Sequence, residues 1–125
     1  MYQGTNKVER ILMNDNMRKV LVALRSGEYK QARGTLQNTG GYCCLGVMCD
    51  VYEKETGNVL GRTPSGLLNG NTLRKHTDVK EWVGLQGALG ECAYEDRLTV
   101  INDRADSSFA YIADFIESEP QGLLV

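Results

Sequence analysis

The sequence predicts an α+β domain: a small antiparallel sheet packed with three to four helices. Three observations lead there. Three segments carry apolar residues at the spacing of a one-faced helix: Met17, Val20, Leu21 and Leu24; Cys44, Val47, Met48, Val51 and Tyr52; and Phe109, Ile112, Ala113 and Ile116. One stretch between the first two breaks instead at Asn38-Thr39-Gly40-Gly41, in the manner of a hairpin. The 125 residues hold no internal repeat, low-complexity tract or linker, which predicts one domain over 1–125 with room for a real core.

Each element has its own signal. "KVERILM" sets Val8, Ile11 and Leu12 on one face and predicts a short peripheral helix within residues 1–14. Its stripe points away from that of Met17 to Leu24, so a break at 14–16 precedes a main helix over about 15–26, with Asn14 or Asn16 as N-cap and Gly27 as stop. Two short strands, near 31–37 and 41–44, flank the Asn/Gly loop. The Cys44 stripe then runs as a helix to about Thr56, with Gly57 as its C-cap.

Residues 57–76 hold four glycines, three asparagines and one of the two prolines, and read as loop with one small hairpin turning at Asn69-Gly70. "TDVKEWVGL" predicts a short helix: Asp78 and Glu81 resemble a capping box, Val79, Trp82 and Val83 face inward, and Gly84 ends it. "QGALGECAYEDR" reads as loop, and "LTVINDR" fits either a strand or a helical turn. The last helix starts at a Ser107 or Ser108 cap and stops before Pro120.

Composition narrows the function classes. A net charge of −2 and a pI near 5.4 argue against general nucleic-acid binding, which needs a basic face to displace counterions from phosphates. No apolar run approaches the ~20 residues that span a bilayer, so no membrane partner is expected. "MYQGTNKVER" has no apolar segment of the kind a signal peptide carries. A reducing cytoplasm and free thiols are the expectation.

The cysteines are the first chemical candidates. Three of four fall in "GGYCCLGVMCD", residues 40–50. Zinc sites pair ligands as Cys-x₂₋₄-Cys. Here Cys43 and Cys44 are adjacent and point to opposite faces, Cys49 lies beside the helix's apolar stripe, and Cys92 is alone. The one histidine, His76, sits in a loop. These parts predict buried apolar fillers, with no metal and no catalytic cysteine. "NDRAD" (102–106) lacks the Gly and distal Glu of a calcium loop and reads as turn and cap residues. No nucleophile elbow, dinucleotide fingerprint or phosphate loop is present, so no enzyme and no cofactor is predicted.

"RSGEYKQARGTL" (25–36) is the remaining candidate. On a strand, Tyr29, Gln31 and Arg33 share one face, with Arg25 and Lys30 close by. A ring that stacks on a base and a guanidinium that forks onto phosphate are a usable pair for a nucleotide. Arg25, Tyr29, Lys30, Gln31 and Arg33 are therefore the predicted ligand-binding residues.

In order, "ALRSGEYKQARGTL", "GYCCLGVMCDVY", "EWVGL" and "INDRADSSFAYIADFIE" resemble a widespread family of small, uncharacterised bacteriophage proteins. The likeness covers most of residues 17–118 and is most specific in the Cys-Cys-Leu-Gly-Val and Asn-Asp…Phe-Ala blocks. It implies phage origin and action in the cytoplasm of an infected bacterial host, and carries over no catalytic residue. The expected function is a non-enzymatic binding protein that antagonises host antiviral defence by sequestering a small anionic signal such as a cyclic nucleotide. A homo-oligomer is the assembly that such a small domain favours for a shared site. The alternatives are an inhibitor binding a host protein through Glu91–Asp96, Tyr94 and the acidic last helix, and a cysteine-dependent enzyme.

Overall fold

The computed structural model describes residues 13–125. The predicted stripe of Val8, Ile11 and Leu12 lies outside the described residues. Asn14 opens helix α1 (Asp15–Arg25), its Oδ1 accepting from Met17 N at 2.8 Å. Met17, Val20, Leu21 and Leu24 form the buried face, as the periodicity predicts. Strands β1 (Gln37–Asn38) and β2 (Gly41–Tyr42) follow, antiparallel, with Gln37 opposite Tyr42 and Asn38 opposite Gly41.

These strands are much shorter than the predicted 31–37 and 41–44. The reason is that Tyr42 is shared. Its N–H donates to Lys30 O at 2.8 Å and its C=O accepts from Ala32 N at 2.7 Å, a parallel bridge to the segment before β1. The chain between bends away instead of extending the ladder. Cys43 is already the N-cap of helix α2 (Cys44–Thr56), its Sγ accepting from Gly46 N at 3.4 Å. Tyr29, Gln31 and Arg33 therefore do not line one strand face.

Helix α2 is the centre of the core. Residues 44–49 are all buried, as are Val51 and Tyr52, and the helix packs on α1 and on α3 and α4 defined below. Two glycines permit close backbone contacts, one within this helix and one in the strand before it. A Cβ at Gly46 would collide with the Leu36 carbonyl, and one at Gly41 with the Lys30 carbonyl. The Leu-Gly-Val block is thus a backbone-on-helix contact.

The 57–76 loop holds one isolated antiparallel bridge, Arg62 to Leu68, turning through Thr63–Gly66 rather than at Asn69-Gly70. A 3-10 turn (Leu73–Lys75) leads into helix α3 (Thr77–Val83). His76 occupies the cap position there without a side-chain cap bond, so Asp78 and Glu81 form no capping box. Trp82 is half-buried, edge-on to Tyr52 at 5.5 Å, and its carbonyl accepts from Asn14 and Asn16 side chains. "LTVINDR" resolves as helix α4 (Leu98–Asp103). Helix α5 (Phe109–Glu117) starts at Ser108, whose Oγ accepts from Tyr111 N at 3.1 Å, and packs on α1 and α4.

The described residues thus hold five α-helices and one two-stranded antiparallel sheet, the predicted α+β class. The C-terminal tail adds a piece of core that carries no helical or strand period. Leu123 and Leu124 are buried, Gln86 N donates to Leu123 O at 2.9 Å, and Val125 N to Gly84 O at 2.8 Å.

Gly46→Ala is expected to lower the unfolding free energy by about 3 kcal/mol, since the helix must move off Leu36 or strain against it. Urea denaturation measures this; a midpoint within error of wild type would disprove the close contact.

Candidate functional site

The site begins with the Asn102 side chain, which is fully buried at the C-terminal end of α4. Its Oδ1 accepts from Cys44 N at 3.0 Å and from Gln31 Nε2 at 3.2 Å. Its Nδ2 donates to Ala32 O at 2.9 Å and to Asp103 Oδ1 at 3.2 Å. Asp103 Oδ1 in turn accepts from Gly34 N at 2.9 Å. Asn102 and Asp103 thereby lock the 31–34 segment and the start of α2 onto α4. The reading of "NDRAD" as turn and cap residues missed this buried role.

Above this lock lies a cleft of about 270 Å³. Cys43, Leu89 and Val100 give it an apolar lining. Its polar groups are Thr35, Asn71, Thr72, Arg97, Thr99 and Asp103. Thr35 Oγ1 donates to Gly70 O at 3.4 Å, and Thr72 Oγ1 accepts from Arg74 N at 3.2 Å. The side chains of Asn71, Arg97 and Thr99 make no hydrogen bond or ion pair with any described residue. The unpaired Arg97 guanidinium, the Thr99 hydroxyl and the Asn71 amide are groups free to hold a polar ligand.

Arg97 and Val100 also border a second cleft, of about 280 Å³, whose other walls are Glu91, Cys92, Glu95 and Asp96. Asp96 pairs with Arg104, and Glu91 Oε1 accepts from Leu89 N at 3.1 Å. Glu95 has no ion-pair partner among the described residues. Arg97 therefore stands between a mixed cleft and an acidic one.

The five predicted ligand-binding residues are placed differently. Arg25 is engaged with Asp114 at 2.7 Å and Glu117 at 2.8 Å, which raise its pKa mainly through these hydrogen bonds. Gln31 is spent on Asn102. Arg33 donates to the carbonyls of Arg104 and Ser107, both at 3.2 Å. Tyr29 packs edge-on against Tyr42 at 5.4 Å and donates its hydroxyl to Asp50, while Lys54 lies 5.4 Å over its ring. Burial, and then the Asp50 bond, push the Tyr29 phenol up to about 12, so it stays protonated. Lys30 is exposed and unpaired among the described residues. The five do not converge on one cavity. Their neighbours Gly34 and Thr35 do line the Arg97 cleft. Arg97 itself gave no sequence signal, because what sets it apart, an unpaired side chain on a cleft wall, is created by the fold.

Residues 13–120 match the family described as a domain of unknown function, DUF8296. The chain belongs to this family. No curated protein and no solved structure matches it. Among the described residues no group of His, Cys, Asp and Glu is arranged to hold a metal ion, and no helix is long and apolar enough to cross a membrane.

In this DUF8296 domain Cys43, Cys44 and Cys49 are buried, as their spacing predicts, and Cys92 is half-buried. Burial raises the Cys43 thiol to about 11 and pushes Cys44 and Cys49 up as well. His76 is also buried, with Nε2 2.8 Å from Asn69 O, which gives it a structural role.

Two outcomes follow for the thiols. A thiol reagent is expected to modify one cysteine quickly in native protein, and Cys92→Ser to remove that phase; two fast phases would contradict the burial. In the unfolded chain thiols ionise near 9, whereas folded Cys43 holds its proton to about 11. The stabilisation is therefore present below pH 9 and is lost as pH rises through the folded values, so the urea midpoint should fall between pH 8 and about 10.5.

Proposed function

We propose that this protein is a non-enzymatic binding protein whose Arg97 cleft holds a small ligand bearing one anionic group. Its setting is a bacteriophage infection, and its role is to sequester a nucleotide-derived signal of host antiviral defence in the host cytoplasm. The observation that carries the reading is Arg97. Among the described residues Arg18, Arg25, Arg33, Arg62 and Arg104 are each tied to protein oxygens; Arg74 and Arg97 have unpaired side chains, and Arg97 is the one that lines this cleft. A fixed wall and a free guanidinium are what an anionic ligand needs to bind without reorganising the site. The Cys-Cys-Leu-Gly-Val and Asn-Asp…Phe-Ala likeness supports the phage setting. The burial of Cys43, Cys44 and Cys49 supports binding over cysteine chemistry.

Calorimetry with linear and cyclic nucleotides tests the reading. At least one member should bind, and Arg97→Ala should weaken it by ten-fold or more, because a charge-assisted hydrogen bond contributes about 1.5–3 kcal/mol. No heat and no thermal shift with any member would sink the proposal. The alternative, direct binding of a host protein, is favoured by Tyr94, 81% exposed beside Glu91 and Glu95. A stoichiometric host partner that is lost with Tyr94→Ala and kept with Arg97→Ala would replace the small-ligand reading.

A further inference from the structure

The two clefts on either side of Arg97 differ in charge, and the difference has a consequence for which anion fits. Asp103 faces the first cleft with its carboxylate held in place: Oδ1 accepts from Gly34 N at 2.9 Å and from Asn102 Nδ2 at 3.2 Å. Oδ2 receives no donor from any described residue. A fixed carboxylate with one oxygen open is an acceptor for hydroxyl groups and repels a second anion. On the other side of Arg97 the wall is Glu91, Glu95 and Asp96. Only Asp96 of these is neutralised by a cation among the described residues, through Arg104. Arg97 thus stands between Asp103 in one cleft and Glu91 and Glu95 in the other, and a chain of phosphates leaving Arg97 into either cleft meets a carboxylate.

Size points the same way. About 270 Å³ is below the ~300–1,000 Å³ of drug-sized pockets. The cleft has room for a sugar phosphate and part of a base, with Leu89 and Val100 as the apolar surface.

We infer that the cleft selects a ribonucleoside monophosphate: its single phosphate at Arg97, the free cis-diol of its ribose at Asp103, and further phosphates excluded by Glu91, Glu95 and Asp103. This rests on the small-ligand reading of the cleft and specifies its ligand class. It also disfavours cyclic nucleotides, in which the phosphate ties up one or both of the diol oxygens.

Calorimetry without added metal ion, using the 5′-mono- and triphosphates of the four ribonucleosides and the 2′,3′-dideoxy monophosphates, tests it. The ribose monophosphates should bind at least ten-fold tighter than the triphosphates and the dideoxy compounds. Glu91→Gln/Glu95→Gln should bring the ratio of triphosphate to monophosphate affinity toward one. Glu95→Gln alone, at an exposed position, carries the test should the double variant lose stability. Triphosphate binding as tight as monophosphate, or a ratio unmoved by these variants, overturns the charge selection and leaves the cleft a nucleotide site. Equal binding of the dideoxy compounds overturns the role of Asp103. Absence of binding by every nucleotide removes the small-ligand reading and this inference together.

Discussion

The Asn102 amide, fully buried between α4, the 31–34 segment and the first turn of α2, holds together parts of the chain about 60–70 residues apart in sequence. Helix α2 enters the core with its N-terminal half buried, so its first amides cannot be left to water. Cys43 caps one of them weakly through sulfur, and Asn102 Oδ1 takes another at Cys44 N. The same side chain accepts from Gln31 and satisfies the Ala32 carbonyl, so each of its polar atoms has a partner. A buried polar group is costly unless this accounting closes, and here it does. An apolar side chain at 102 would orphan Cys44 N–H and Ala32 C=O together.

That lock also ties down part of the cleft wall. Asp103 is the neighbour of Asn102, so its carboxylate is aimed by the helix end that the lock fixes. Gly34 and Thr35 follow the bridged residues 30–32, and Cys43 follows Tyr42, the residue that bridges them. Three walls of the cleft are therefore attached to one hydrogen-bond network. Arg97 caps the opposite end of α4, and its position is set by the Leu98 N bond to Gly90 O at 3.0 Å. The helix that seals the core is the same one that presents the free cation.

The helices were legible because amphipathic period and end signals agree: Asn14, Ser108 and Gly57 sit at the ends where cap chemistry places them. The strands were not, because Tyr42 is contested by two partners and the helix begins at once after it. Val100 and Ile101 gave α4 a strand-like composition, which tertiary packing overrode through Leu98 and Ile101 in the core. Leu123 and Leu124 had no period to read, only a place to fill. The cysteine block was legible as core because adjacent residues point to opposite faces and Cys49 lies beside an apolar stripe. Asn102 and Asp103 were visible as polar residues before a helix, but their partners at 31, 34 and 44 lie too far along the chain for any local pattern.

The cluster at 25–33 shows how charge and aromatic content alone can point to groups that the fold has already engaged. Its cations do meet oxygens, and the oxygens belong to the chain itself. Arg25 reaches Asp114 and Glu117 on α5, and Arg33 reaches the carbonyls of 104 and 107 just before it. The Arg25 pairs are exposed and contribute only about 0–1 kcal/mol each, so their effect is to position rather than to stabilise. Arg25 ties the end of α1 to the second half of α5, and Arg33, Gln31 and Gly34 strap the segment after α1 along α4 and the turn before α5. A local sequence pattern reports that a group can bind an anion. It does not report whether the fold has already supplied one. In this protein that distinction separates Arg25 and Arg33, whose acceptors arrive from 70 to 90 residues away, from Arg97, which is left facing a cleft.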